Sequence, residues 1–359
     1  MNSTIGGGSE TERNLISGNE GPGISIAGFS QGTEVVGNYI GTDETGMEAL
    51  PNGGGVSVSS PDVTIGGFAA SGGNLISGNA GSGIAILGAG GGTSGVMVFG
   101  NRIGLDAEGE PTLGNVSGIF VSNGASDALI GALVPGLGNE IAGNEIHGVN
   151  LFSDANTLGI AIRGNRIHGN GGLGIALDGA GLAPTPNDPD DADTGPYRLQ
   201  NVPELTSAIA SEDGLAVDYF VPSHPDHSSH PITVDFYLAD DDGEEGRTWL
   251  GMDVFDEDAW EAGTPKQFAK NLFFLGDPPR LVATATDADG NTSEFSASVL
   301  VPEPAAASGA ALLALALLGG VGHSARKLIP SSRVCGHHVG RALGGTEPRH
   351  HRGSSSHSS

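Results

Sequence analysis

Short apolar segments rich in isoleucine and valine recur along the first half of the chain, and small or polar residues often alternate with the apolar ones. Residues 56–58 (VSV), 84–86 (IAI) and 160–162 (IAI) show this alternation. A period of two residues is typical of β-strands. Glycine and asparagine interrupt each segment before three helical turns could form. The pattern therefore predicts short strands joined by sharp corners.

The apolar segments also repeat at a fixed offset. The sequence NLISGN at residues 14–19 recurs unchanged at residues 74–79, and the flanking TIGG motif shifts by the same 60 residues. A looser copy, NEIAGN, occupies residues 139–144. A fixed period indicates one structural unit stacked on itself. The alternative, a β-sandwich with glycine-rich turns, has no reason to repeat at a fixed offset.

Gly-Asn pairs divide the long repeat into smaller steps. If two further corners lie near Ser59 and Asn123, the steps average about 21 residues, which predicts eight rungs of a right-handed parallel β-helix over residues 1–182. Glycine reaches positive φ freely and asparagine tolerates it, so the pair suits a corner. Stacked asparagine side chains can also hydrogen-bond from rung to rung. The predicted corner ladder comprises Asn19, Asn38, Asn79, Asn101, Asn144 and Asn165.

The start of the chain affects how this helix is interpreted. Residues 4–7 are already in phase with the repeat, and no basic then apolar leader precedes them. Terminal rungs of solenoids are normally atypical, and exported proteins begin with a signal peptide. We therefore expect the β-helix to be incomplete at its N-terminus and its signal peptide to be missing.

The pattern changes after residue 182. Residues 183–206 are rich in proline and aspartate and are predicted to form an acidic junction. Residues 207–301 contain strand-like segments separated by acidic loops, which predicts a small immunoglobulin-like β-sandwich. The predicted strands are 215–221, 232–238, 248–255, 281–286 and 295–301.

The last part of the chain has a different composition. An apolar stretch, 305–322, has about the minimum length of a membrane-spanning helix, and we predict a C-terminal hydrophobic helix within a sorting segment at 302–327. Residues 328–359 are rich in serine, histidine and glycine and are predicted to be a disordered tail.

The charge of the chain excludes one class of partner. The net charge is −27, and the excess of acidic residues lies in residues 1–301, whereas the remainder carries six bases and two acids. An acidic body repels nucleic acids and anionic membrane surfaces, so we expect no nucleic-acid partner. The single cysteine, Cys335, excludes an internal disulfide.

Two resemblances concern the fold. The repeats resemble the right-handed parallel β-helix repeat family, which includes pectate lyases, other polysaccharide-degrading enzymes and many bacterial surface proteins. Residues 282–287 (VATATD) and 290–296 (GNTSEFS) resemble the final hairpin of a sandwich module that often follows such helices in exported bacterial proteins. The first resemblance implies a fold more strongly than an activity.

A third resemblance concerns location. Pro302, Glu303 and Pro304, the apolar stretch, and Arg326 with Lys327 resemble the PEP-CTERM sorting signal. In that family the signal holds an exported protein in the inner membrane of a Gram-negative cell until an exosortase cleaves near the Pro-Glu-Pro motif. The resemblance implies an exosortase-type partner and a final place at the cell surface or outside the cell. Family members usually end soon after the basic pair, whereas 32 residues follow Lys327 here. An ordinary C-terminal membrane anchor is the alternative.

Several basic side chains near the Gly-Asn corners are candidates for catalysis. Arginine serves β-helix lyases in proton abstraction, an expectation that comes from the family resemblance, and related hydrolases pair two carboxylates. Arg102 and Arg166 occupy equivalent Asn-Arg-Ile positions, which the stacking of a solenoid also explains. The candidates are Arg102, His147, Arg163, Arg166 and His168. Because no aspartate pair adjoins them, we predict no catalytic residue.

The acidic junction is the candidate calcium site. Calcium takes six to eight oxygen ligands, and five oxygen-bearing side chains lie within seven residues: Asn187, Asp188, Asp190, Asp191 and Asp193. A solvated acidic linker explains the same residues. Calcium is the only cofactor that we predict.

These observations together predict an exported, surface-associated protein of a Gram-negative bacterium, structural or carbohydrate-interacting and non-catalytic. Extracellular polysaccharide or matrix is the expected partner. The alternative is a polysaccharide lyase or glycoside hydrolase that acts from the β-helix face. A metal-dependent adhesion module is a third hypothesis, and it rests on the junction acids.

Overall fold

The computed structural model describes residues 3–68, 72–88, 92–152, 156–177, 181, 183–192, 196–211, 214–272 and 279–302. These residues all belong to one compact unit, Met1–Ala306. The unit consists of a parallel β-solenoid followed by a region of two antiparallel sheets. The predicted Glu303, Pro304, Arg326 and Lys327, the apolar stretch 305–322 and the tail lie outside the described residues.

The solenoid is built from three parallel sheets, A, B and C, and the chain visits each sheet once in every rung. Sheet A consists of β1 (Thr4–Gly6), β4 (Glu34–Val36), β7 (Thr64–Gly66), β10 (Met97–Phe99), β13 (Ser126–Gly131) and β16 (Leu158–Arg163). Sheet B consists of β2 (Leu15–Ile16), β5 (Tyr39–Ile40), β8 (Leu75–Ile76), β11 (Arg102–Ile103), β14 (Glu140–Ala142) and β17 (Arg166–His168). Sheet C consists of β3 (Pro22–Ala27), β6 (Gly54–Ser59), β9 (Ile84–Leu87), β12 (Ile119–Ser122), β15 (Val149–Leu151) and β18 (Ile175–Leu177). The predicted parallel β-helix architecture is confirmed.

The predicted rung length of about 21 residues was wrong. The described strands form six rungs rather than eight, which span about 24 Å from first to last at the spacing of neighbouring strands. Successive asparagines on one side of sheet B are separated by 24, 36, 27, 38 and 26 residues. Along sheet A, by contrast, paired residues of successive rungs are 30 to 33 residues apart, as Thr4, Glu34, Thr64 and Met97 show. The alternation therefore belongs to sheet B, and the 60-residue sequence repeat comprises two rungs of similar length.

The alternation along sheet B arises because successive rungs carry their insertion at different corners. In the second and fourth rungs the insertion lies between sheets B and C, at residues 41–53 and 104–118. In the first, third and fifth rungs it lies between sheets A and B. The insertions stack on each other, since the backbone N–H of Ala107 donates to the Gly46 oxygen at 3.0 Å.

Asparagine side chains form two ladders, one on each side of sheet B, instead of the single ladder that we predicted. Asn38, Asn101 and Asn165 belong to the ladder that precedes the sheet, and Asn19, Asn79 and Asn144 to the ladder that follows it. The first ladder is Asn14, Asn38, Asn74, Asn101, Asn139 and Asn165. The second is Asn19, Asn52, Asn79, Asn115, Asn144 and Asn170. Further Gly-Asn pairs, such as 73–74 and 138–139, were the overlooked signal.

Each interior asparagine joins three rungs, and Asn74 illustrates how. Its Oδ1 accepts from the N–H and Nδ2 of Asn38, at 2.9 and 3.0 Å. Its Nδ2 donates to the Val35 oxygen at 2.8 Å and to Oδ1 of Asn101 at 2.9 Å. The side chain is 1% exposed, so these bonds replace water that cannot reach it.

The core of the solenoid consists of stacked aliphatic columns. In sheet A, Val35, Ile65, Val98, Ile130 and Ile162 are all buried, and sheets B and C supply equivalent columns. The repeated TIGG motif has a backbone reason. Gly66 has φ +109°, and a Cβ there would lie 1.7 Å from the Phe99 oxygen of the next rung. Only glycine allows this approach.

The two-sheet region (residues 204–300) contains one sheet in the order β19-β20-β23 and another in the order β22-β21-β24-β25. Its strands are β19 (Glu204–Ser211), β20 (Gly214–Phe220), β21 (Ile232–Ala239), β22 (Gly246–Phe255), β23 (Lys266–Lys270), β24 (Arg280–Thr286) and β25 (Val299–Leu300). Val217, Tyr219, Phe236 and Phe268 from both sheets share one core. Four of the five predicted strands lie within two residues of observed ones. The fifth, 295–301, was wrong except at β25, because residues 293–296 fold over β24 through side-chain hydrogen bonds.

Helices are few and short in the part of the chain that is described. The helix α1 (Glu257–Ala262) begins after Asp256, whose Oδ1 accepts from the N–H of Ala259 at 3.0 Å, as an N-cap residue should. Three 3₁₀ turns occupy Glu10–Glu12, Pro189–Asp191 and Pro196–Leu199. None of the helices among the described residues is long and apolar enough to span a membrane.

Replacing an interior ladder asparagine should destabilise the protein severely. Asn74→Ala leaves the N–H and Nδ2 of Asn38 and the Val35 oxygen short of a partner, and we expect the free energy of unfolding to fall by about 3 kcal/mol. Asn19→Ala, in the exposed first rung, is the matched control and should cost less than about 1 kcal/mol. Urea unfolding measures both, and equal losses would contradict a cooperative role for the ladder.

Candidate functional site

Charged side chains line the outer face of sheet B in the last three rungs. Arg102, Glu140 and Arg166 occupy successive positions of one cross-strand column. They point outward because the next residue of each strand, an isoleucine, faces the core. Arg102 and Arg166 are exposed, and Glu140 is half-buried between them.

Glu140 is the centre of this cluster. Its Oε1 lies 3.0 Å from Nη1 of Arg166 and 3.6 Å from Nε2 of His168. The proximity of His168, and then the charges of Arg166 and Arg102, lowers the pKa of Glu140 below its ordinary value. A separation of 3.6 Å is long for a hydrogen bond, so Arg166 is the partner that holds the carboxylate in place.

Two neighbouring elements border the cluster. On one side Nη1 of Arg102 donates to the Ala107 oxygen of the fourth-rung insertion at 2.9 Å. On the other side Nε of Arg166 donates to the Arg247 oxygen of β22 at 3.3 Å. We call the surface between these two elements the sheet B recess. In it the ionised carboxylate of Glu140 lies among cations. Such a carboxylate is a poor general acid at neutral pH, and its contacts are to cations rather than to the second carboxylate that glycosidases use.

The other two basic candidates do not join this recess. Arg163 is directed towards the two-sheet region, where its Nε lies 2.6 Å from Oδ2 of the buried Asp235. His147 is 2% exposed, and its Nδ1 accepts from the N–H of Leu173 at 3.0 Å. Burial lowers the pKa of His147, so the ring is neutral under ordinary conditions. Both side chains have structural roles.

The proposed calcium ligands are largely committed to hydrogen bonds within the junction. Asn187 pairs with Val202 in both directions, at 2.8 and 3.0 Å. Asp191 is buried and accepts from Asn201 and Gln200. Asp188 accepts from the N–H of Ala192, Asp190 is exposed, and Asp193 lies outside the described residues.

Within the described ranges, no group of three or more histidine, cysteine, aspartate or glutamate side chains is arranged to hold a metal ion. Calcium binding at the junction stays a prediction.

The outer face of sheet C carries a feature that the sequence analysis missed. Phe120 and Phe152 lie with their ring centroids 5.9 Å apart and their planes 41° apart, and Phe152 is 47% exposed. Asn150, the cross-strand neighbour of Phe120, is 8% exposed, and its Oδ1 has no hydrogen-bond partner. Phe120 and Asn150 each lie between two core residues of their strands, β12 and β15. This alternation was the sequence signal that could have placed them on the outer face.

The same column is lined by small side chains in the earlier rungs. Ser25, Ser57 and Ala85 precede Phe120 in the cross-strand register of sheet C. The face is therefore a shallow, nearly uncharged strip that leads to two aromatic rings and a carboxamide. It differs from the charged recess on sheet B, although both are built on the same rungs.

Comparisons with known proteins do not assign the chain to a family. No protein-family model matches it, and no curated protein sequence is significantly similar to it.

The Glu140 cluster should stabilise the protein only while its carboxylate is ionised. Because the pKa of Glu140 is lowered on folding, this stabilisation is present above the ordinary value of 4.5 and is lost as the pH falls through the lowered value. Glu140→Gln should therefore be less stable than the wild type at about pH 7 and equal to it at about pH 3.

Urea unfolding at the two pH values measures the difference. The matched control is Glu145→Gln, an exposed glutamate of the same rung, which should show no such pH-dependent gap. A gap that persists in acid would contradict the ion-pair explanation.

Proposed function

We propose that this protein is a non-catalytic, carbohydrate-binding structural protein, and that sheet C of the solenoid is its binding face. The pair formed by Phe120 and the exposed Phe152 carries the proposal. Ligand sites commonly combine aromatic surface with a few polar groups that fix orientation. The rings offer flat apolar area to the C–H face of a sugar.

The solenoid suits this role because its strands are already ordered. Two asparagine ladders hold successive rungs in register, so a ligand that lies along the strip does not have to order the protein first. Binding that avoids this entropic cost gains affinity from the same contacts. A long polymer can then lie along several rungs.

The charge of the protein favours a neutral glycan over an acidic one. The net charge is −27, and an acidic body repels polyuronates at long range. The sheet C strip itself contains serine, alanine, phenylalanine and asparagine, which suits hydroxyl-bearing sugars.

The wider organisation belongs to the same proposal. We take the solenoid to be right-handed and the two-sheet region to be immunoglobulin-like. The motif at Pro302, Glu303 and Pro304, with the apolar stretch and Arg326 and Lys327, supports export in a Gram-negative cell, transient anchoring through residues 305–322 and processing by an exosortase. The mature protein would then reside at the cell surface or in the extracellular matrix.

One observation favours the alternative function, a polysaccharide lyase or glycoside hydrolase. Glu140, Arg166 and His168 cluster in the sheet B recess. The β-helix lyases, which the repeats of this chain resemble, also place an arginine near acidic residues. Against it stands the ion pairing of Glu140, which keeps that carboxylate from acting as an acid.

Binding should depend on the aromatic pair of sheet C. In native gels that contain a neutral glucan, we expect the migration of the protein to be retarded, and the double variant Phe120→Ala/Phe152→Ala to lose most of the retardation. Phe29→Ala is the matched control, since Phe29 is fully exposed and lies away from the pair. An unchanged double variant, or no retardation by any of a panel of neutral glycans, would refute the proposal.

The same preparation distinguishes the alternative. Incubation with polygalacturonate and with the neutral glucan should release neither unsaturated uronates nor reducing ends. Release that Arg166→Ala abolishes would show catalysis at the recess instead.

Processing is tested by intact mass. Protein purified from its native cells should end near Pro302–Pro304, without the apolar stretch. A mass that retains residues 305–359 would contradict exosortase cleavage and would favour an ordinary membrane anchor.

A further inference from the structure

The last rung of a solenoid has the same hydrogen-bonding needs as the inner rungs but no further rung to meet them. Along the second ladder, the N–H of each asparagine, or its Nδ2, donates to the Oδ1 of the asparagine in the next rung. Asn170 ends this ladder in the sixth rung, and its donors need an acceptor from elsewhere. Buried donors without an acceptor would cost about 1–3 kcal/mol each.

Glu245 of the two-sheet region supplies that acceptor. Its Oε2 accepts from the backbone N–H of Asn170 at 3.0 Å, and its Oε1 accepts from Nδ2 at 3.1 Å. These are the two donors that an inner asparagine directs at the next carboxamide. Glu245 is 2% exposed. The carboxyl group therefore occupies the position that an asparagine of a seventh rung would take.

Other side chains of the two-sheet region accept hydrogen bonds along the rest of the sixth-rung edge. Backbone N–H groups of all three sixth-rung strands or their corners donate to them. The pairs are Gly159 to Asn291 Oδ1 (2.9 Å), Ile162 to Thr292 Oγ1 (2.9 Å), Gly164 to the Tyr237 hydroxyl (3.2 Å), Gly169 to Asp240 Oδ2 (3.3 Å) and Leu177 to Glu294 Oε1 (2.8 Å). The acceptors come from two separate segments, 237–245 and 291–294, so more than one loop of the region matches the edge.

Apolar packing closes the end of the core. Tyr237, Val282 and Phe295 belong to the same buried cluster as Ile160, Ile162 and Ile175 of the last rung. The rings of Tyr237 and Phe295 meet edge to face at 5.5 Å. The aliphatic columns of the solenoid thus end on aromatic side chains instead of in water.

We propose that the two-sheet region is the terminal cap of the solenoid, that Glu245 replaces the next asparagine of the ladder, and that the cap prevents the last rung from pairing with a second copy of the chain. An open strand edge is a template for another chain. Here the occupant would be another copy, because its rungs have the same strand spacing and carry the same two asparagine ladders.

The choice of variants follows from the surroundings of Glu245. Burial, and to a smaller extent the charge of Asp240, raises the pKa of Glu245 to about 8, so a neutral side chain of the same shape suits the site. Glu245→Gln keeps an oxygen for Asn170 and offers an N–H to Asp240. Glu245→Leu removes both acceptors at similar volume. Glu244→Leu changes the exposed neighbouring residue and is the control.

Hydrogen–deuterium exchange and sedimentation velocity on the full chain test the cap. Glu245→Leu should increase exchange of the Gly169 and Asn170 amides about tenfold and produce assemblies that grow with protein concentration. Glu245→Gln and Glu244→Leu should behave as the wild type. Unchanged exchange in Glu245→Leu would overturn the ladder role of Glu245, and faster exchange without assembly would overturn the protection against a second copy.

A second variant covers the case in which Glu245→Leu does not fold. Asn291→Ala/Thr292→Val removes the acceptors at the sheet A end of the same edge and leaves the ladder intact. It should increase exchange of the Gly159 and Ile162 amides and the tendency to assemble. Wild-type exchange at both amides would refute the cap.

Discussion

Hydrogen bonding from rung to rung is the interaction on which this structure depends. A parallel solenoid has a polar backbone edge in every rung. This chain adds two buried columns of asparagine carboxamides, one on each side of sheet B. Interior asparagines such as Asn74 donate to and accept from neighbouring rungs, so a slip in register would leave several buried polar groups unsatisfied at once. The long insertions each end at a ladder asparagine, for example Asn52 and Asn115, which returns the chain to register. Insertion length can therefore vary without disturbing the stack.

The outward side chains take no part in holding the rungs in register, so they can differ between sheets. They give sheets B and C different chemistry. On sheet B, Arg102, Glu140 and Arg166 form a column of alternating charge, in which Glu140 pairs with Arg166 and Arg102 donates to the Ala107 oxygen. On sheet C, the column is small and uncharged until it reaches Phe120 and Asn150. A set of paired ions is suited to holding its own shape, whereas an aromatic pair with one exposed ring leaves apolar surface open to a ligand. This difference is why binding is assigned to sheet C.

The ends of the stack follow from the same constraint. The last rung has unsatisfied backbone donors, and acceptors in β21, in the loop between β21 and β22 and in the segment after β24 satisfy them. Acidic side chains are costly to bury without hydrogen-bond partners, yet Glu245 and Glu294 are buried where backbone donors meet them. The acidic composition, which by sequence indicates only solubility and charge repulsion, thus also serves to close the solenoid.

The sequence by itself determined the parallel stacked architecture, because a stacked unit imprints its period on the chain, and it located most strands of the two-sheet region through their apolar alternation. It also marked the corner asparagines, since Gly-Asn pairs stand where the backbone turns. Rung length was misjudged because Gly-Asn pairs from two ladders, one on each side of sheet B, were counted as a single series of corners. Only the tertiary structure separated the asparagines into two ladders, directed Arg163 into an ion pair with Asp235, and joined Glu140 to His168 across neighbouring strands. It alone brought Glu245 to Asn170, 75 residues away, because contacts between distant segments depend on how the two regions pack and leave no local pattern in the chain.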